Sequence, residues 1–299
     1  MRKEEPMKWL LSLLLLSCTS LVQAENVQMK LNGVTLNANL EKSDNWPAGP
    51  LVLMTHGTLA HNRMEIISTL QQLFAENGIS SMAINLSLGI SDRPSAMYDC
   101  DRPHRHKHTD ALGEIEAWLE WLKVAGAKKV VLLGHSRGGN QTAWFAAEHD
   151  DPVISQIILV APQTWSADHA AADYEKRYEK KLQPILEKAF NLAAHGKGRE
   201  LMKPVDFIYC PKTAATAEAF ISYYETDPRM DTPYLLSKLK TPVLVFVGSE
   251  DKVVQGLEEK LQASDLPENI QVRVVDGADH FFRDLYAEEL VEQALEFIQ

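Results

Sequence analysis

The chain has 299 residues, of which 45% are hydrophobic, and this is enough to bury the core of one large α/β domain or two small ones. It carries 30 Lys and Arg against 41 Asp and Glu, for a formal net charge of −11. Because an acidic surface repels polyanions, the composition argues against a nucleic-acid partner and against an anionic membrane surface.

The N-terminus has the pattern of a secretory signal, which predicts that residues 1–24 are a signal peptide. A short basic start precedes an apolar run, Trp9 to Leu16, that is too short for a stable membrane span. Small residues end the segment at Ala24, so we expect cleavage there and a periplasmic or secreted mature protein with no membrane span. A start at Met7 would give a cleaner signal. A lipoprotein attached through Cys18 fits the pattern less well, and a buried N-terminal helix is the remaining alternative.

Two cysteines remain after this cleavage, Cys100 and Cys210, and both lie in polar segments next to proline. An oxidising compartment allows two such thiols to pair. We hypothesise a disulfide between them; the alternative is two unrelated small side chains.

Short apolar runs alternate with amphipathic stretches along most of the chain. Asn32-Gly33 interrupts an alternating pattern and favours a tight hairpin. Helices are predicted at 63–78 and 110–126. The predicted strands lie at 50–57, 79–86, 128–136, 154–162, 241–251 and 270–280. Continuous Val, Ile and Leu runs are typical of strands covered on both faces, so we expect an α/β fold with a mostly parallel sheet flanked by helices.

The alternation of strand-like and helical segments is interrupted at residues 163–240. The pattern there is helical, and no comparably strong strand-like run occurs. Such an insertion between two strands predicts a helical cap over the carboxyl edge of the sheet. The domain boundaries are therefore a core at 25–162 and 241–299 and a cap at 163–240.

Residues Gly134-His135-Ser136-Arg137-Gly138 match G-x-S-x-G between a predicted strand and a predicted helix. A sharp strand-to-helix turn exposes the serine hydroxyl, and glycines are needed where a Cβ would meet neighbouring backbone. The strand–turn–helix context makes Ser136 a candidate nucleophile; the alternative is a glycine-rich turn with a solvent-facing serine.

A serine nucleophile needs a histidine base and an acid that orients the base. His280 follows the last predicted strand and Asp251 follows the strand before it, so the order is serine, acid, histidine. Glu250 is the nearest competing acid. The alternative for His280 is a histidine of a surface loop.

The oxyanion that forms on attack needs two N–H donors. Arg137, the residue after the serine, supplies one. The loop after the first parallel strand reads His56-Gly57-Thr58, which makes Thr58 the expected second donor and Leu59 its competitor. For His56 itself we favour a loop-bracing role over catalysis.

The whole mature chain resembles the α/β-hydrolase superfamily, in its capped esterase, lipase and peptidase branch. The resemblance rests on the motifs already quoted and on "SLGISDRP" at 87–94, although Leu86-Ser87-Leu88 stands where many relatives carry Asp-x-Arg. A serine at position 136 argues against the branches that use an aspartate or a cysteine nucleophile.

The resemblance implies a serine hydrolase that cleaves a carboxylester or thioester of a small-molecule or acyl substrate, without metal or cofactor. A peptidase or amidase, and a catalytically silent binding protein of the envelope, remain open. Leu59, His61 and Trp165 are candidate substrate contacts. For His61 a structural hydrogen bond is an equal alternative, and for the cap aromatics a packing role is the favoured interpretation.

Three alternating histidines, His104, His106 and His108, share one face if their segment is extended. A metal site is conceivable there, but the interleaved cations Arg105 and Lys107 oppose it. A solvated loop is the favoured interpretation, and a cationic rim for an anionic substrate group is the third.

Overall fold

The computed structural model describes residues 24–298. Apart from Ala24, the predicted signal peptide lies outside these residues, as do Met7 and Cys18. Over the described range, no helix is both long and apolar enough to cross a membrane.

Strands alternate with helices through most of the described chain. The strands are β1 Glu25–Leu31, β2 Val34–Glu41, β3 Leu51–Thr55, β4 Ser80–Asn85, β5 Val130–His135, β6 Ile154–Val160, β7 Leu201–Phe207, β8 Cys210–Thr216, β9 Val243–Gly248 and β10 Ile270–Val275. The helices are α1 Glu65–Glu76, α2 Asp110–Val124, α3 Arg137–Glu148, α4 Ala167–Tyr178, α5 Gln183–Ala194, α6 Ala217–Tyr224, α7 Thr232–Leu236, α8 Leu257–Gln262 and α9 Leu285–Ile298, with a short 3-10 helix at Pro228–Met230.

Eight strands form one sheet in the order β1-β2-β4-β3-β5-β6-β9-β10. The pairs β1–β2 and β2–β4 are antiparallel and all other neighbours in this sheet are parallel, so the predicted α/β architecture is confirmed. The first hairpin turns at Asn32 and Gly33, with φ angles of 49° and 84°, the conformation that a two-residue turn favours. The parallel strands bring their carboxyl ends to one edge.

Both faces of the sheet are covered by helices. In β5, Val130 and Leu132 belong to one apolar cluster, whereas Val131 and Leu133 belong to the other. Helices α1 and α9 contribute to the second cluster, and α2, α3, α7 and α8 contribute to the first. Because alternate side chains of each strand enter opposite clusters, strands of this kind are apolar along their whole length.

Residues 163–240, predicted as a cap, lie between β6 and β9 and are called the cap below. Helices α4, α5 and α6 lie there, but the expectation of helices alone is wrong, because β7 and β8 form an antiparallel pair. Their turn contains Ile208, a β-branched residue with φ 55°. Its N–H donates to the hydroxyl of Tyr224 at 2.8 Å, and the hydroxyl of Tyr178 donates to its carbonyl at 2.7 Å. Residues distant in sequence therefore stabilise this turn, which contains no Gly or Asn from which the sequence could have predicted it.

The long loop between β4 and α2 is joined to the cap. Cys100 and Cys210 form the hypothesised disulfide. Beside it, the His104 N–H donates to the carbonyl of Ala214 at 2.8 Å, and the Thr216 N–H donates to the carbonyl of His104 at 2.9 Å. The loop thus adds one parallel bridge to the β7–β8 pair and connects the core with the cap.

Removal of the disulfide is expected to destabilise the protein. The bond joins positions 110 residues apart, and closing a loop of that size is worth about 4–5 kcal/mol in the chain-entropy model. The double variant Cys100→Ala/Cys210→Ala should therefore melt roughly 10 °C below the oxidised protein in a thermal scan by circular dichroism. Reductant should lower the Tm of the unmodified protein and leave that of the variant unchanged, and equal Tm values for the two proteins would contradict the expectation.

Candidate active site

Ser136 lies in a sharp turn between β5 and α3, at the carboxyl edge of the sheet. Its φ of 58° and ψ of −123° fall in a region that residues with a Cβ rarely occupy. The Ser136 N–H donates to the carbonyl of Val160 at 2.9 Å, and the Ser136 carbonyl accepts the N–H groups of Gly139 and Gln163, each at 3.0 Å. These bonds hold the strained conformation in place.

The glycines around this turn allow backbone segments to touch. A Cβ on Gly134 would lie 2.5 Å from the carbonyl oxygen of Gly138, and a Cβ on Gly138 would overlap the carbonyl of His56. A Cβ on Gly57 would lie 3.1 Å from that of Ser136. The loop after β3 therefore runs directly past the serine.

His280 and Asp251 form a hydrogen-bonded pair. Nδ1 of His280 donates to Oδ2 of Asp251 at 2.7 Å, and each side chain is only 5% exposed. Oδ1 of Asp251 accepts the N–H groups of Val253 and Val254 at 2.7 and 2.9 Å. Burial by itself raises the pKa of Asp251, but the hydrogen bonds from His280 and from the two N–H groups outweigh it and hold the pKa below its ordinary value. In the described chain, Glu250 makes no such bond with His280.

The loops that carry this pair are joined to each other. The Glu250 N–H donates to the carbonyl of Ala278 at 3.0 Å, and a Cβ on Gly248 would lie 2.5 Å from that same oxygen. The ends of β9 and β10 therefore approach too closely for a side chain, and this contact sets the separation of Asp251 and His280.

His135 connects the serine turn with the histidine loop. Its Nε2 donates to the carbonyl of His280 at 2.9 Å, and the two rings are 4.8 Å apart. Burial, reinforced by the neighbouring His280, lowers the pKa of His135 to about 3, so the ring is neutral. The Ser136 hydroxyl forms no hydrogen bond with His280 or any other described residue, and such contacts often tighten only when substrate binds.

Two backbone N–H groups next to the serine are available as donors. Arg137 carries the first N–H of α3, and Thr58 follows the glycine that touches Ser136. Neither N–H donates a hydrogen bond within residues 24–298. The first turn of a helix also favours negative charge, so this corner suits a developing oxyanion.

The peptide before Thr58 is oriented by His56. Nε2 of His56 accepts the Leu86 N–H at 3.1 Å, so Nδ1 carries the proton and donates to the carbonyl of Gly57 at 3.0 Å. Burial, together with the charge of Arg93, lowers the pKa of His56 to about 3 and keeps it neutral. Because the C=O and N–H of a trans peptide point in opposite directions, this bond turns the Thr58 N–H away from His56.

Residues 52–293 match the model of the Alpha/beta hydrolase family. The chain belongs to this family. This match confirms the fold predicted from the sequence, because it covers most of the chain. It includes all the parallel strands, except that β3 begins one residue earlier, at Leu51.

Individual relatives are distant. The chain is 24% identical over 205 residues to a bifunctional esterase/perhydrolase of Acinetobacter calcoaceticus, a match covering 62% of this chain and 72% of the relative. It is 22% identical over 282 residues to a 2-(acetamidomethylene)succinate hydrolase of Mesorhizobium japonicum, covering 91% and 94%. Est1E of Butyrivibrio proteoclasticus, solved with ferulic acid bound, superposes with a TM-score of 0.64 at 20% identity, covering 91% and 97%. The two sequence relatives are hydrolases, which supports hydrolytic activity for this chain.

The candidate substrate contacts of this hydrolase lie in different surroundings. Leu59 has φ 54° and its side chain packs in the apolar cluster of the cap. Nδ1 of His61 accepts the Arg63 N–H at 3.2 Å, the structural alternative considered for it. The Trp165 side chain packs against the core, and its backbone N–H donates to Oδ1 of Asp231 at 2.7 Å.

The expectation of a solvated loop at 104–108 is wrong. His104, His106 and His108 are almost fully buried, while Arg105 and Lys107 between them are exposed. The extended backbone places all three rings on one face, which the cap and α3 cover, because alternate residues share a face. Within residues 24–298, no group of three or more His, Cys, Asp or Glu side chains has a geometry that could hold a metal ion.

Hydrogen bonds link these histidines to the cap and to α3. Nδ1 of His104 and Nε2 of His106 are 3.1 Å apart, and Nδ1 of His106 lies 2.8 Å from the hydroxyl of Tyr223. His108 is 2.9 Å from Asn140. Burial lowers the pKa of His104 to about 4 and that of His108 to about 3, and lowers the pKa of His106 well below its ordinary value.

Two residues that shape the site carried weak signals in the sequence. His135 is the variable residue of G-x-S-x-G, where the motif predicts nothing about the side chain. Arg93 belongs to the quoted "SLGISDRP" loop, and its guanidinium is buried against the carbonyls of Ala60 and Leu86 at 2.7 Å. The contacts of His135 with the His280 loop, and of Arg93 with the loops after β3 and β4, become visible only in the folded structure.

The substitution Gly134→Ala should disrupt the serine turn. The new Cβ would meet backbone of α3 at 2.5 Å, so either the strand or the helix must move. We expect a loss of at least 1–3 kcal/mol in the free energy of unfolding, measured by urea titration. Gly113→Ala in α2 is the matched control, because nothing lies within 4 Å of its Cβ, and it should be neutral or stabilising. Equal effects of the two substitutions would contradict the account.

The buried histidines should make the fold acid-sensitive. For His56, His104, His108 and His135 the folded pKa lies near 3 or 4, below about 6.5 for an unfolded chain. The stability that these histidines contribute is therefore complete above about pH 6.5 and is lost as the pH drops towards 4, because only the unfolded chain protonates these imidazoles there. Burial raises the pKa of Glu114 to about 7, so this carboxyl takes up a proton in the folded protein over the same range and offsets part of the loss. Urea titrations should show the free energy of unfolding decreasing as the pH is lowered from about 7 to about 5, and a flat profile over this range would contradict the expectation.

Proposed function

We propose that this protein is a serine hydrolase that cleaves a carboxylester or thioester of a small-molecule or acyl substrate through an acyl-enzyme. The observation that carries the proposal is the 2.7 Å bond between His280 and Asp251, on loops joined to the strained Ser136 turn. A binding scaffold has no need of a buried histidine–carboxylate pair next to a strained serine and two free N–H groups.

In the proposed mechanism, His280 Nε2 removes the proton of Ser136 as Oγ attacks the carbonyl carbon. Asp251 fixes the His280 tautomer through Nδ1 and stabilises the imidazolium. The N–H groups of Thr58 and Arg137 bind the oxyanion. Collapse of the tetrahedral intermediate expels the alcohol or thiol, which takes the proton from His280. Water then attacks the acyl-enzyme by the same route, releases the acid and restores Ser136.

Two other functions remain as alternatives. A peptidase or amidase would use the same groups, and the relative named for 2-(acetamidomethylene)succinate hydrolysis is a reason to test an amide substrate. The relative named as an esterase/perhydrolase favours ester cleavage. A catalytically silent binding protein would keep the fold and lack reactivity at Ser136.

We also propose that the protein is exported and works in the periplasm or outside the cell. The signal-like N-terminus and the Cys100–Cys210 disulfide support this, because disulfides persist in oxidising compartments. Cell fractionation with mass spectrometry of the mature N-terminus tests export. A protein that is found in the cytoplasmic fraction and still begins at Met1 or Met7 would refute it.

Labelling with a fluorophosphonate tests the enzyme proposal directly. The wild-type protein should become covalently labelled at Ser136 and hydrolyse p-nitrophenyl butyrate, whereas Ser136→Ala should do neither. Ser237→Ala is the matched control, because that serine is exposed and its hydroxyl donates to the carbonyl of Tyr234. If the wild-type protein fails to label, or if Ser136→Ala labels equally, the protein is not a serine hydrolase. An aminoacyl-naphthylamide then measures the peptidase alternative.

The substitution Asp251→Asn should lower kcat by about 10³–10⁴ with little change in KM, because the histidine loses the carboxylate that sets its tautomer. Glu250→Gln should retain activity, since Glu250 makes no bond to His280 in the described chain. Asp265→Asn, at an exposed position, controls for the loss of one negative charge. The acid would be misassigned if Glu250→Gln proved the more damaging change.

A further inference from the structure

The Arg137 side chain is fixed beside the proposed oxyanion site by uncharged groups. Its Nε donates to Oγ1 of Thr58 at 3.0 Å, and its Nη1 lies 3.2 Å from Nδ1 of His108. The guanidinium stands over the ring of Tyr223, 5.0 Å from its centroid. Three contacts from three separate segments therefore hold one cation in a defined position.

His108 is a neutral acceptor in this arrangement. Its Nε2 donates to Oδ1 of Asn140, because the amide nitrogen of Asn140 already donates to Arg229 and Thr232. Nδ1 is therefore unprotonated and can accept from Arg137. The full positive charge of the guanidinium remains.

Arg137 forms no ion pair within the described chain, where no carboxylate oxygen lies within 4 Å of its guanidinium nitrogens. The acids near its neighbours are engaged elsewhere. Asp227 pairs with Arg229 at 2.7 Å, the carboxylate of Asp110 accepts the Lys107 N–H at 2.7 Å, and Glu114 accepts both the hydroxyl and the N–H of Ser87.

The guanidinium is partly buried and has unused donors. Nη2 makes no hydrogen bond to any described residue, and Nη1 has only the contact with His108. A positioned cation that has no ion-pair partner and keeps unused donors is suited to an anionic ligand. The planar fork of an arginine fits a carboxylate with two parallel hydrogen bonds.

We propose that Arg137 selects substrates that carry a carboxylate close to the scissile ester. This inference rests on the proposed function, since it names the substrate class of the same site. Arg137 has two separate roles in it: its backbone N–H serves the oxyanion, and its side chain binds the substrate anion. In a protein of net charge −11, a local uncompensated cation also concentrates an anionic substrate at the site.

The test compares esters in which a neutral carboxamide replaces a carboxylate. One pair is the p-nitrophenyl monoester of adipic acid and its p-nitrophenyl adipamate analogue, with a carboxamide in place of the carboxylate. The second pair is p-carboxyphenyl butyrate and p-carbamoylphenyl butyrate, which moves the charge to the leaving group. We expect wild-type kcat/KM to favour the carboxylate member of at least one pair by roughly tenfold to a hundredfold.

Variants assign this preference to the side chain. Arg137→Gln should bring the ratio of kcat/KM between carboxylate and carboxamide esters to about one, whatever its effect on the rate itself, and Arg137→Lys should keep a reduced part of the preference because the charge stays but the fork is lost. Arg199→Gln removes a cation whose side chain is 92% exposed and should leave the ratio unchanged. Equal rates within both pairs for the wild-type protein, or a preference that survives in Arg137→Gln, would overturn the proposal.

A binding measurement separates this proposal from the catalytic one. In titration calorimetry, adipate should bind to wild-type protein at least tenfold more tightly than adipamide, and Arg137→Gln should remove the difference. Fluorophosphonate labelling without any carboxylate preference would refute the role of Arg137 and leave the serine hydrolase intact. Carboxylate binding without labelling would refute the serine mechanism and leave the anion site intact.

Discussion

The turn at Ser136 is the constraint on which the rest of the site depends. A serine with φ 58° must be held against its own preference, and the hydrogen bonds from the ends of β6 and α3 do this only because the helix packs directly on the strand. That packing leaves no room for a Cβ at Gly134 or Gly138. The same closeness brings the loop after β3 alongside the serine, so one steric requirement arranges the hydroxyl and both candidate N–H donors.

Neutral buried histidines do much of the positioning around this turn. His135 ties the serine turn to the loop of His280, His56 orients the peptide before Thr58, and His108 fixes the side chain of Arg137. Each accepts or donates through a tautomer set by its other ring nitrogen. An imidazole can therefore bridge two backbone or side-chain groups in an interior where a charged ring would be too costly to bury.

The cap is attached to the core through the loop that precedes α2. The Cys100–Cys210 disulfide, the backbone bridge at His104 and the shared apolar cluster make this loop and the cap hairpin one unit. Because His108 of the same segment holds Arg137, the position of the cap and the position of the proposed anion-binding cation are set together. The proposed substrate selection is thus linked to the cap, while the proposed acyl-transfer chemistry stays on the sheet edge.

Local patterns were enough to predict the parallel sheet, its flanking helices and the placing of Ser136, Asp251 and His280 after three of its strands, because these depend on periodicity and on residue types at strand ends. The opening hairpin at Asn32-Gly33 was equally predictable, since its turn needs residues that accept positive φ. Tertiary structure alone decided the cap hairpin, whose turn at Ile208 depends on two distant tyrosine hydroxyls. It also decided the burial of His104, His106 and His108, because alternation in an extended segment defines a face but does not say whether water or a cap will cover it.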